Sequence, residues 1–177
     1  AVSRVHESRL PLVYVNMVGG QDELVYDGAS FALNADGKLA AHLPSFSETT
    51  SVIRVGEDFG VPSLTGQMTP PDDGMGALYR GLTLGLRDYI DKNGFPGVVL
   101  GLSGGIDSAI VAALAVDALG AERVHAVMMP SPYTSQESLD DAADLAGKLG
   151  IRLDEISIAP AMQAMGDMMA PQFDGTS

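Results

Sequence analysis

At 177 residues the chain has room for one full domain or parts of two, and 46% hydrophobic residues, 21 glycines and a mean hydropathy of +0.15 give it globular character. A formal net charge of −13 argues against a nucleic-acid surface, since phosphate backbones are bound by clustered Lys and Arg, so no nucleic-acid partner is expected. The lack of Cys excludes disulfides and thiolate zinc sites and fits a reducing compartment; no apolar run nears the ~18 residues that cross a bilayer and no signal-peptide pattern opens the chain, so a cytoplasmic protein free of the membrane is expected.

In chain order, Ala1-Val2-Ser3-Arg4 enters in mid-helix by its pattern, and residues 12–18 read as a strand that runs into a polar Gly turn. Gln21, Asp22 and Glu23 then read as turn and surface residues. A hairpin follows in which 30–33 and 38–42 flank Asn34-Ala35-Asp36-Gly37. Taken alone, this part says only α+β or layered β. Residues 56–74 are rich in Pro, Gly and acid without periodicity and read as an interdomain linker. A helix is expected over 75–93, with Leu78, Leu82, Leu86, Tyr89 and Ile90 as its apolar face and Gly94 just past its end. Strands at 98–102, 123–129 and 151–158 then alternate with helices at 106–119 and 136–149, and a further helix starts near 159. That alternation predicts a parallel sheet with right-handed crossovers. Thr134 and Glu137 have the spacing of a capping box, ahead of a buried stripe of Leu139, Ala142, Ala143, Ala146 and Leu149.

The most informative stretch is Leu100-Gly101-Leu102-Ser103-Gly104-Gly105-Ile106-Asp107-Ser108-Ala109, an apolar strand that breaks into a Gly-rich turn and then a helix carrying Ile106, Ile110, Val111, Leu114 and Leu119 at helical spacing. A turn at a helix N-terminus offers free N–H groups and the positive end of the helix dipole to an anion. Gly104 and Gly105 are expected to take positive φ and to let a phosphate approach the backbone, with Ser103 and Ser108 as hydroxyl donors. The carboxylate of Asp107 at the same helix end would repel a bare phosphate and makes sense with a divalent cation between them, as Mg²⁺ lies in phosphate sites. The Walker pattern is excluded because Ile106 and Asp107, not Lys and Ser or Thr, follow Gly105, and the pattern GxGxxG fails as well.

These residues resemble the SGGxDS pyrophosphate loop of the N-type ATP pyrophosphatases. Met129-Pro130-Ser131-Pro132-Tyr133-Thr134-Ser135, with Ser138 and Asp141-Ala142 behind it, is similar to the MPSxYTS segment of the glutamine-dependent NAD synthetase family. Near the start, Tyr14-Val15-Asn16-Met17-Val18-Gly19-Gly20-Gln21-Asp22-Glu23-Leu24-Val25-Tyr26-Asp27-Gly28-Ala29-Ser30 resembles the YVNxVGGQDELVFDGxS stretch of the nitrilase-like glutaminase domain fused ahead of that synthetase. The resemblance implies an α/β fold: a parallel-sheet, Rossmann-like ATP pyrophosphatase domain (adenine nucleotide alpha hydrolase-like) over 75–177, preceded by the tail of an α+β nitrilase-like sandwich over 1–55 and the linker at 56–74. It further implies a ligase that converts nicotinic acid adenine dinucleotide, ATP and ammonia from glutamine to NAD, AMP and pyrophosphate through an acyl-adenylate. ATP is then expected on Gly101, Leu102, Ser103, Gly104, Gly105, Ile106, Asp107, Ser108 and the Met129 backbone, Mg²⁺ on Asp107, and a homo-oligomer in the intact enzyme.

The glutaminase of that family is a Glu-Lys-Cys enzyme, and this chain has no thiol, so no catalytic residue of that site is assigned here. Truncation is the expected account, with the helix-like start and the stop at Asp174-Gly175-Thr176-Ser177 on its side. The alternatives are another amidating or thiolating ATP pyrophosphatase such as a GMP synthetase, and a non-catalytic assembly fragment. His6, His42 and His125 share no metal-ligand spacing and read as structural. Met162, Met165, Met168 and Met169 read as packing or interface residues, and Asp140, Asp141 and Asp144 as the solvated face of a helix.

Overall fold

The computed structural model describes residues 1–58, 60–72 and 74–173; Phe59 and Asp73 of the expected linker, and the stop at 174–177, lie outside the described residues. The chain divides into two compact units, Ala1–Asn93 and Gly94–Ser177.

The first unit opens with a short helix, α1 (Val2–Ser8), whose Val5 is fully buried and which ends on Arg9 in the left-handed region at φ 55°. Strands β1 (Leu12–Tyr14), β4 (Phe31–Leu33) and β5 (Leu39–His42) form a three-stranded antiparallel sheet in the order β1-β4-β5. The β4–β5 hairpin is the expected one: Gly37, at φ +82°, donates its N–H to the Asn34 carbonyl at 2.8 Å. Tyr14 stacks on Phe31 across β1 and β4 with ring centroids 5.1 Å apart. Ala32, Ala40 and Ala41 bury the inner face together with Leu64, and Ile53 packs against them.

Leu64 reaches that core from a place where the sequence predicts no regular structure. Residues Arg54–Asp58 (β6) and Val61–Thr65 (β7) pair as an antiparallel ribbon that overlaps the start of the expected linker at 56–74. The breakers Gly56 and Pro62 mislead because both strands of a two-stranded ribbon are edges, where Pro is tolerated. The Asn34 side chain ties the ribbon to the hairpin, accepting from Leu64 N–H at 2.7 Å and donating to Leu64 C=O at 3.2 Å. Asn34→Ala orphans both groups of a buried residue and is expected to lower unfolding free energy by about 1–3 kcal/mol, read as a lower urea midpoint at unchanged m-value. An unshifted midpoint would mean that water replaces the amide without loss.

The stretch read as one strand over 12–18 is broken, and the Gly turn expected after it is itself a strand. Val18–Gln21 (β2) pairs with Leu24–Asp27 (β3), and the turn falls later, at Asp22, which has φ 52°. Gln21, Asp22 and Glu23 are exposed, as expected. Gly19 and Gly20 are buried because helix α2 (Gly74–Lys92) lies directly on them: a Cβ at Gly20 would sit 3.2 Å from Gly85 Cα and 3.2 Å from Asp88 Cβ. Asp88 accepts from Gly20 N–H at 2.8 Å, and Lys92 donates to Gly20 C=O at 2.5 Å. This seat covers only part of the face that its periodicity predicts. Leu84 and Ile90 are buried, whereas Leu78, Leu82 and Tyr89 are about half exposed. Gly94 follows the helix with φ +69°, as expected for a residue past a helix end.

In the second unit, β8 (Val98–Gly101), β9 (Val124–Met128) and β10 (Arg152–Glu155) form the expected parallel sheet, in the order β10-β9-β8. The crossovers are α3 (Ile106–Leu119) and α4 (Gln136–Leu149), and α5 (Ala159–Phe173) follows β10. Val124, Ala126 and Met128 alternate toward the helices and are buried. Small residues let the helices approach: α3 buries Ala112, Ala115 and Ala118 with Leu119, and α4 buries Ala142 and Ala146. Of the large apolar residues expected to form the α3 stripe, Leu119 is buried, whereas Ile106, Ile110 and Val111 are more than half exposed. Met162, Met165, Met168 and Met169 of α5 are likewise exposed rather than packed.

Two smaller expectations shift by physical detail. The α4 cap is Ser135, one residue beyond Thr134, and its hydroxyl accepts from Ser138 N–H at 3.2 Å. Thr134 is diverted into the preceding turn, where its Oγ1 accepts from Ser131 N–H at 2.9 Å. Among the histidines, His42 Nδ1 lies 2.8 Å from Thr69 C=O and His125 Nε2 lies 2.9 Å from Asp154, both structural contacts. The Arg152 guanidinium beside Asp154 holds that carboxyl below the usual carboxylate range, with His125 adding to the effect. Asp140, Asp141 and Asp144 are exposed on α4, as expected, and Asp144 pairs with Lys148 at 2.6 Å.

Candidate functional site

The carboxyl ends of β8 and β9 lie side by side, with Gly101 opposite Val127, and the loops that leave them run next to each other. In a parallel α/β sheet this edge is where ligands bind. Leu102 anchors the first loop: it is 2% exposed, and its N–H donates to Val127 C=O at 3.0 Å, extending the ladder by one residue before the chain turns.

The loop that follows is wired by two hydroxyls. Ser108 Oγ donates to Gly105 C=O at 2.9 Å and accepts from Ser103 N–H at 3.2 Å, Ser103 Oγ lies 3.1 Å from Ser108 Oγ, and Gly105 N–H donates to Ser103 Oγ at 3.3 Å. With the Ser108 proton on Gly105 C=O, the proton between the two hydroxyls belongs to Ser103. Both hydroxyls thus have partners inside the loop. In this structure the two hydroxyls shape the loop backbone.

Shaping leaves the helix end open. Gly105 occupies the N-cap of α3 without a side chain to cap it, so the first-turn N–H groups of Ile106, Asp107 and Ser108 have no capping partner. Open amides with the dipole behind them are an anion site. Only one of the two glycines has the conformation expected for both: Gly104 has φ +80°, whereas Gly105 has φ −86°, open to any residue. Asp107 is exposed in the first turn, close to any anion held there. Among the described residues no three His, Cys, Asp or Glu side chains cluster as a complete metal cage. A lone carboxylate beside an anion site suits Mg²⁺, which is typically shared between one or two carboxylates, substrate phosphates and water.

Beside the loop, a cleft of about 270 Å³ is lined by Gly101, Leu102, Ser103, Met128, Met129, Pro130, Thr134 and Leu139. It joins the Ser103 end of the loop to the segment after β9, so of the residues singled out in the sequence it gathers Gly101, Leu102, Ser103 and Met129. Met129 is half exposed, and its Cε would lie 3.5 Å from a Cβ at Gly101, so a side chain at Gly101 would press on the cleft wall. Met128 and Pro130 belong to the strand end, Val127 to Pro130, that the sequence places beside the loop, whereas sequence reasoning missed Thr134 and Leu139 as cleft residues. Leu139 reads as one more member of the α4 core stripe, and only its place in the first turn of α4 brings it to the loop.

The family model described as NAD synthase matches residues 78–176. The chain is 51% identical to the glutamine-dependent NAD(+) synthetase of Rhodobacter capsulatus, over 99% of this chain and 32% of that protein. It is 45% identical to the protein of the same description from Synechocystis sp., over 93% of this chain and 29% of that one. A solved structure of the glutamine-dependent NAD+ synthetase from Acinetobacter baumannii, in complex with ADP, superposes with a TM-score of 0.89 at 41% identity, over 99% of this chain and 33% of that chain. The chain thus spans about a third of the length of the relatives it matches.

Proposed function

Because the chain belongs to the NAD synthase family, we propose that it is a segment of a glutamine-dependent NAD(+) synthetase and that its second half binds the ATP used for adenylation. The observation that carries the reading is the open N-terminus of α3 beside the cleft at the β8 and β9 ends. The ADP complex of the Acinetobacter baumannii relative supports an adenine nucleotide as the ligand. In this reading the backbone of 101–108 receives the phosphates and the cleft at Met129 receives the adenine. The family match speaks against a GMP synthetase.

The chemistry asks little of the protein beyond placement and charge. A carboxylate oxygen of nicotinic acid adenine dinucleotide attacks the α-phosphorus of ATP, the bond to the bridging oxygen breaks, and pyrophosphate leaves with the electron pair. Ammonia then adds to the acyl carbon of the adenylate, AMP departs, and the ammonia loses a proton to give the amide of NAD. The amides of Ile106, Asp107 and Ser108 orient the phosphates and stabilise charge as it moves to the leaving group. Ser103 and Ser108 keep those amides aligned, and no general base is required for the first step, because the attacking group is already an anion. Asp107 would hold Mg²⁺ together with phosphate oxygens, and the ion would supply charge neutralisation at the leaving group.

The domain reading is part of the same proposal: 1–55 as the tail of a nitrilase-like glutaminase, 56–74 as the junction and 75–177 as synthetase. The start of the family match at residue 78, inside α2, supports that placement of the helix. Glutamine as ammonia source, a homo-oligomeric parent and a cytoplasmic setting are carried by the family resemblance alone. The test is calorimetric titration of this chain with ATP, with and without Mg²⁺. Saturable ATP binding that strengthens with Mg²⁺ is expected, and absence of binding under both conditions would overturn the nucleotide role.

A further inference from the structure

The two adjacent loop glycines do different work. At Gly105, with φ −86°, a Cβ would meet only Ser103 Oγ, at 3.4 Å, so alanine fits there without moving the backbone. At Gly104, with φ +80°, a Cβ would fall inside the contact radius of the Ser138 carbonyl oxygen and 2.8 Å from Ser138 Cα. Gly104 is therefore pressed against the backbone of the first turn of α4, which has no flexible end to give way.

That turn is itself held firmly. Ser135 Oγ accepts from Ser138 N–H at 3.2 Å and lies 2.9 Å from Ser138 Oγ. Just ahead of it, Thr134 N–H donates to Ser131 C=O at 3.1 Å and the two hydroxyls lie 3.1 Å apart. Thr134 and Leu139, on either side of this turn, are part of the cleft wall. The geometry points to Gly104 as a positioning residue that seats the first turn of α4 on the phosphate loop, so that the loop and the cleft wall from Met129 to Leu139 keep one fixed spacing. Gly105 is the glycine left for close approach of the anion. The inference rests on the ATP reading for its ligand and on the packing alone for the coupling.

The experiment compares Gly104→Ala, Gly105→Ala and Ser135→Ala with the unmodified chain by peptide-resolved amide hydrogen exchange without ligand, followed by ATP titration. Gly104→Ala is expected to raise exchange across 135–142, beyond the substituted loop, and to weaken ATP by roughly tenfold or more, the scale of an overpacked contact. Gly105→Ala is expected to leave exchange in α4 unchanged. Ser135→Ala changes an exposed residue outside the phosphate loop, so it reports even where Gly104→Ala does not fold, and it is expected to loosen 103–109 as well as the helix turn that it caps. Extra exchange confined to the loop in Gly104→Ala, or to α4 in Ser135→Ala, would overturn the coupling. An unmodified chain that takes up no ATP would instead remove the nucleotide reading and leave the exchange comparison to decide the packing.

Discussion

Asp107→Asn, introduced into a complete synthetase that carries this segment, is expected to reduce NAD formation by about 10²–10³-fold, the usual scale for losing one electrostatic contributor to a transition state. Glutamine hydrolysis should remain detectable. Asp107 stands exposed in the first turn of α3, at the end whose open amides attract an anion, and it has no ion-pair partner among the described residues. An unpaired carboxylate there opposes the phosphates unless a cation lies between them, and asparagine keeps its size while removing the charge proposed to hold that cation. The measurement is paired: NAD by enzymatic cycling and glutamate release from glutamine, at ordinary and raised Mg²⁺. Normal synthesis by the variant at ordinary Mg²⁺ would remove Asp107 from the metal role, and a matching loss of both activities would point to misfolding instead.

The second large effect concerns the chain as it stands. Given nicotinic acid adenine dinucleotide, Mg²⁺, ATP and ammonium, this 177-residue chain is expected to form no NAD, and given glutamine it is expected to release no ammonia. The glutaminase step needs a thiolate, and the sequence has no Cys. The synthetase step needs the dinucleotide carboxylate in line with the α-phosphorus, and a small misplacement of reacting groups costs orders of magnitude in rate. Holding a dinucleotide takes more protein than one open cleft of about 270 Å³, and the chain covers only 32% of its Rhodobacter capsulatus relative. Binding of Mg²⁺ and ATP is expected to survive, because its elements are all local to β8, α3, β9 and α4. Turnover near that of a complete synthetase would show that the second unit is sufficient by itself.

The sequence alone determined the second unit and its loop. A buried parallel strand and an α-helix each carry their period in a short window, and Gly, Ser and Asp where β8 passes into α3 have few other uses in that order, so the elements over 98–128 and the position of the loop could be read from the sequence, though not which face of α3 is covered. The β4–β5 hairpin was legible for the same reason, since Asn34 to Gly37 is a local turn signal. Tertiary structure decided whatever depends on a partner distant along the chain. Gly19 and Gly20 read as a turn and proved to be a strand because Gly85 and Asp88 of α2 lie against them. The ribbon at 54–65 exists because Leu64 finds Ala32, Ala40 and Ala41, and because Asn34 pairs with its backbone. On α3 the alanines with Leu119, rather than Ile106, Ile110 and Val111, are buried, since close approach to the strands favours small side chains and periodicity cannot say which of two apolar faces will be covered. The conformations of Gly104 and Gly105, identical letters in the motif, were separated only by the carbonyl of Ser138, which lies far along the chain and next to one of them alone.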